Sequence, residues 1–179
     1  HQLSGFTSAI TLAHANNYAS IMNALQHRLS YVFVITLLLV VGGCANQPET
    51  TAEQQARIRM LTNDLHAMSP GADARKTQQF AATAVNTAAR LREQYGVRFT
   101  PWMHNIEVNS GTKTRGLCFH YAKDLAAALQ PLAAPDWQLY IVQANPDGIL
   151  EHNAIVVVDK GKPWDSGIVL DGWRDAGIL

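Results

Sequence analysis

WQLYIVQANPDGILEHNAIVVVD, residues 137–159, decides the fold class of this chain. Two runs rich in aromatic and β-branched residues, 137–144 and 152–159, flank Asn145-Pro146-Asp147-Gly148, which has the residue types of a turn. Lys160-Gly161-Lys162-Pro163 repeats the turn signal, and GIVLD (167–171) follows as a third short strand. Connections this short cannot carry a crossover, so the strands are expected to pair as antiparallel hairpins.

Upstream of residue 137 the apolar period lengthens from two to that of a helix. Ile58, Leu61, Leu65 and Met68 step by three, four and three, and Ser69-Pro70-Gly71 stops the pattern. Phe80, Ala84, Ala88, Leu91 and Tyr95 form a second stripe, with Gly96 as its C-cap. A third helix is expected from Gly116-Leu117-Cys118, with Leu117, Tyr121, Leu125 and Leu129 on one face and Pro131 ending it. Val97 to Arg115, with Pro101, Asn109, Ser110 and Gly111, reads mostly as loop. Helices followed by a small antiparallel sheet make an α+β domain over residues 54–179.

Charge narrows the function classes. The 179 residues hold 14 basic and 14 acidic side chains, a balance unlike the basic excess of a nucleic-acid binder. All the acidic residues lie from Glu49 onward. The acid-free leader contains Arg28 and then YVFVITLLLVVGG (31–43), too short for a bilayer core of about 30 Å. A basic flank, an apolar run and small residues before Cys44 are the order of a secretion signal. Val41-Gly42-Gly43-Cys44 resembles the lipobox of bacterial lipoproteins, in which the cysteine is lipidated and begins the mature chain. That resemblance implies an upstream segment and signal peptide over 1–43 with Met22 as the start, a tether over 44–53, and a membrane anchor at Cys44. Ala45 after the cysteine points to the outer membrane, facing the periplasm.

Cys118 is then the one thiol left free in an exported chain, which suggests either pairing between chains or a reactive role, and its location favours the second. At a helix start, unpaired backbone N–H groups and the positive dipole end stabilise a thiolate. His152 opens the middle strand, on the face of Ala154, Val156 and Val158, where it could take the cysteine's proton. Asp171 closes the next strand, where it could accept from the second imidazole nitrogen. Alone, each residue is as readily structural: a small buried thiol, a packed imidazole, a turn aspartate.

Together they resemble the transglutaminase-like family. Gly116-Leu117-Cys118-Phe119-His120-Tyr121-Ala122 is similar to its nucleophile motif. His152-Asn153-Ala154-Ile155 is similar to its histidine strand, and Leu170-Asp171-Gly172-Trp173 to its aspartate strand. The resemblance spans residues 115–175 and implies a papain-like core with a Cys118-His152-Asp171 triad. It further implies a hydrolase or acyltransferase acting on peptide or amide bonds, with cell-wall amides suggested by location, and no cofactor. Asn153 and Gly172 depart from the family pattern, and the chain ends soon after the aspartate strand. Trp102 and Asn105 stand where an oxyanion-binding side chain is sought, His120 is a candidate cleft residue, and Trp164 and Trp173 flank the acid as cleft wall or core.

Two other uses of these residues compete. Cys118, His120 and His152, with His104, could form a zinc site, but Cys-x-His suits one helix face poorly and no Cys-x-x-Cys or His-x-x-x-His pair supports it. A non-catalytic envelope binding or scaffold lipoprotein would keep the same fold without using the thiol.

Overall fold

The computed structural model describes residues 50–179, apart from 134, 147 and 149. The expected signal segment, Cys44 and most of the expected tether lie outside the described residues. Among the described residues, four helices precede a three-stranded sheet: α1 (Thr51–Met68), α2 (Ala74–Tyr95), α3 (Pro101–Asn109), α4 (Cys118–Ala133), β1 (Trp137–Ala144), β2 (His152–Asp159) and β3 (Ile168–Leu170). The strand order is β1-β2-β3 with both pairings antiparallel, so the domain is α+β as its periodicities require.

α1 begins three residues earlier than the tether reading allows. Thr50 accepts from the Glu53 backbone N–H while the Glu53 carboxylate accepts from the Thr50 N–H at 2.8 Å. This capping box satisfies two donors at once and makes residues 51–53 the first helical turn. α1 packs on α2, and α2 on α4, through Leu65, Phe80, Ala81, Ala84, Leu125 and Leu129. α4 in turn covers the sheet face bearing Trp137, Ile155 and Val157. Ser69, expected only to stop α1, also ties it to the sheet. Its hydroxyl accepts from Trp137 Nε1 at 3.0 Å and donates to Asp159 Oδ1 at 2.8 Å, and Trp137 and Asp159 are register partners.

Three sequence expectations need correction. Residues 97–115 are not mostly loop: α3 occupies their centre, with Thr100 as N-cap and Pro101 at the first turn, where its missing N–H costs nothing. Asn109-Ser110-Gly111 is the end of that helix, Gly111 taking φ +80°. Pro131 does not end α4, which runs on to Ala133. A proline this near the C-terminus removes one backbone donor, and the burial of Leu129 and Ala133 keeps the last turn in place. β3 is shorter than expected, so Asp171 lies just beyond the strand rather than in it.

Among the described residues, no helix is long and apolar enough to cross a membrane.

Candidate functional site

The antiparallel register of β2 and β3 sets Ile155 opposite Leu170 and Val157 opposite Ile168. Continued by a residue or two, it carries the chain after β3 back past the start of β2. There His152 Nε2 lies 2.6 Å from Asp171 Oδ2, each side chain about one-sixth exposed (16% and 17%). Asp171 Oδ1 accepts from the backbone N–H groups of Trp173 and Arg174, both at 3.1 Å. Arg174 Nε adds a further donor to Oδ2 at 3.1 Å. Four donors thus hold one carboxylate, which keeps it oriented and able to fix the imidazole tautomer. With Nε2 donating to Asp171, Nδ1 is left as the ring's acceptor, and it is buried without a partner among the described residues.

Cys118 is the first residue of α4 and is partly buried. The turn leading to it is built tightly. Gly116 takes φ +121°, and a Cβ there would fall 2.1 Å from His104 Nε2, so both backbone and space demand glycine. His104 is 1% exposed, with Nε2 against the Arg115 carbonyl at 2.9 Å and Nδ1 against Glu107 Oε2 at 3.0 Å. Arg115 meanwhile bonds Asp124 Oδ1 and Oδ2, both at 2.7 Å, and Tyr95 donates to the same carboxylate at 2.6 Å. Burial first, then the Asp124 carboxylate, push the Tyr95 hydroxyl up to about 12, so it stays a donor.

His120 faces back toward this turn. Its Nδ1 accepts from the Gly116 and Leu117 N–H groups at 3.3 and 3.2 Å, satisfying donors at the start of α4. Burial, and then the Arg115 charge, hold its ring below the ordinary histidine range, as an acceptor nitrogen requires.

The structure therefore joins His152 to Asp171 directly and sets Cys118 against the start of β2. The side chain that meets the sulfur is Asn153, whose Nδ2 lies 3.7 Å from Cys118 Sγ. No hydrogen bond joins Cys118 to His152, since Nδ1 has no partner and Nε2 is given to Asp171. Strand alternation explains the division. Asn153 shares the α4 face with Ile155 and Val157, and His152 takes the other.

Trp164 is 56% exposed and belongs to neither the core nor the cleft, whereas Trp102 and Asn105 gather around Trp173, which is 6% exposed. Its indole N–H donates to Asn105 Oδ1 at 3.1 Å, Trp102 packs edge-on at 5.4 Å, and the His152 ring lies at 5.2 Å. Trp102 and Asn105 both project from α3, one turn apart, which a loop reading of 97–115 could not show. The Thr100-Pro101 pair was the signal that could have found it. Trp102 and Trp173 also wall a cleft of about 250 Å³ with Leu150, Glu151, His152 and Arg174. A second cavity, of about 160 Å³, lies between α1 and β3 and holds none of this chemistry. Space beside Gly172 is short: a Cβ there would meet Tyr121 Cδ1 at 3.1 Å.

Among the described residues no group of three or more His, Cys, Asp or Glu side chains is placed to hold a metal ion, and both ring nitrogens of His104 are engaged. No family model matches the chain, and no curated protein or solved structure does either.

Proposed function

We propose that this chain is a thiol hydrolase or acyltransferase of the transglutaminase-like type, acting on peptide or amide bonds. The observation that carries the reading is the His152–Asp171 pair, joined at 2.6 Å with the second imidazole nitrogen buried and unpartnered beside the residue that touches Cys118. A histidine with one nitrogen held by a carboxylate and the other vacant is arranged to accept a proton and return it. In the proposed reaction the Cys118 sulfur attacks the carbonyl carbon, forming a C–S bond. His152, at the end of β2 and on its other face, swings its ring past Asn153 to take the thiol proton at Nδ1, and delivers it to the leaving amine as the C–N bond breaks. Water or a second amine then releases the acyl group. With the Gly116 and Leu117 N–H groups given to His120, the Cys118 N–H at the first residue of α4 is the backbone donor suited to the oxyanion. The cleft walled by Trp102, Trp173 and Leu150 gives an extended substrate an apolar seat next to His152.

The leader adds location. An apolar run closed by Gly42-Gly43-Cys44 supports an envelope lipoprotein anchored through Cys44. Mass spectrometry of the membrane fraction tests that separately, with acylated Cys44 at the mature N-terminus as the expected result.

The chemistry is tested by alkylation with iodoacetamide at pH 7. Cys118 should react at least about tenfold faster than a simple thiol, and His152→Ala should remove most of that advantage. Reaction of Cys118 at the rate of a simple thiol in the folded protein would overturn the assignment.

A further inference from the structure

The side chain hydrogen-bonded to the sulfur is one that neither the triad nor the resemblance uses. Asn153 Nδ2 lies 3.7 Å from Cys118 Sγ and 3.2 Å from Glu151 Oε1. The Glu151 carboxylate fixes which way the amide points. An ionised carboxylate only accepts, so the atom facing it is the NH2 group rather than the amide oxygen. That group has two N–H bonds, and with one directed to Glu151 the other is available to the sulfur. Asn153 sits on the β2 face that packs against α4, so the sheet itself presents it to the first residue of that helix.

We propose that Asn153 is a positioning residue for the nucleophile: its amide, oriented by Glu151, donates to Cys118 Sγ and favours the thiolate over the thiol. The inference rests on the assignment of Cys118 as nucleophile and adds the side chain that prepares it. A thiol sulfur accepts hydrogen bonds weakly and a thiolate strongly, so a fixed donor stabilises the anion more than the neutral form. The donor also restricts the sulfur to one direction at the mouth of the helix. His152 on the opposite strand face is then free for the proton, and Asn153 on the near face serves the sulfur. Two adjacent residues of one strand thus do two different jobs because their side chains alternate.

The test is the pH profile of Cys118 alkylation by iodoacetamide, in which a C–S bond forms as the C–I bond breaks and iodide leaves. Asn153→Ala should react about tenfold more slowly than the parent protein at pH 7 and at the same rate at pH 10, where the thiol is ionised without help. Asn153→Asp, nearly the same shape, puts an anion beside the sulfur and should be slower still at pH 7, which separates donation from packing. Circular dichroism of both variants checks that the fold persists. If the parent Cys118 is fast at pH 7 and both variants match it, the inference fails while the nucleophile assignment stands. Equal slowing of Asn153→Ala at both pH values would also overturn it, because access and not ionisation would have changed. A parent Cys118 no faster than N-acetylcysteine at pH 7 would overturn both.

Discussion

Leu65, Phe80, Leu125, Leu129, Ile155 and Val157 are apolar and at most 1% exposed, and they form the centre of the core. Around the first residues of β2 and α4 the contacts are of another kind: His152 to Asp171, Asn153 to Cys118, Trp173 to Asn105, His120 to the Gly116 and Leu117 amides. The first region is held by area removed from water, which is non-directional and tolerates swaps of similar volume. The second is held by hydrogen bonds, most of them between residues distant in sequence, which tolerate little displacement. One domain thus has an end that supplies stability and an end that spends structural precision on a few polar groups. A change in the first should act on the whole molecule, and a change in the second on the site.

The largest effect should come from the apolar end. Phe80 is fully buried and packs against Trp137 at 5.0 Å. Phe80→Ala should cost about 3–5 kcal/mol in urea denaturation, through lost burial and the cavity left behind. If it were tolerated within about 1 kcal/mol, the division between the two ends would not hold.

Gly116→Ala should come next and should cross the division. A Cβ would strike the His104 ring and the backbone would have to leave φ +121°. A cost of about 2–3 kcal/mol is expected in the same assay, with the fast alkylation of Cys118 lost as well. His104→Ala in the same chain should recover part of the stability, since it removes the ring that the new methyl meets.

The smallest effect should be local and pH-dependent. His120 is held below its ordinary range in the folded protein, so the unfolded chain takes up its proton first as pH falls. Its contribution is therefore complete above the ordinary histidine range and is lost as pH drops through the lowered folded value. Amide exchange, corrected for its intrinsic pH dependence, should show the Gly116 and Leu117 N–H groups losing protection on that acid side before the core amides do. In His120→Ala their protection should be lower throughout and lack that step. Loss of core and turn protection together would mean that the two regions do not behave separately.

The sequence showed the two ends unequally. The helical stripes and alternating strands were legible because each needs only neighbours along the chain, and Leu65, Phe80, Leu125 and Ile155 all lie where those patterns put them. α3 is hidden in the sequence because Pro101 and Asn109-Ser110-Gly111 have the residue types of loop punctuation, though they bound a nine-residue helix between them. Its apolar residues Trp102, Met103 and Ile106 are more than half exposed, so no buried stripe marked it. The tether reading overlooked the Thr50–Glu53 capping box for a similar reason: polar residues can start a helix as readily as they can fill a linker.

By itself, then, the sequence determined the class of the fold and the order in which the chain delivers its polar residues to one end of it. Periodicity and turn chemistry are local, and they suffice for that. Tertiary structure alone decided which of those residues touch. The β2–β3 register set His152 on Asp171, and the packing of α4 on the other face of β2 set Asn153, rather than His152, against Cys118. Alternation in a strand assigns side chains to two faces, but only the helix laid against the sheet decides which face meets the sulfur.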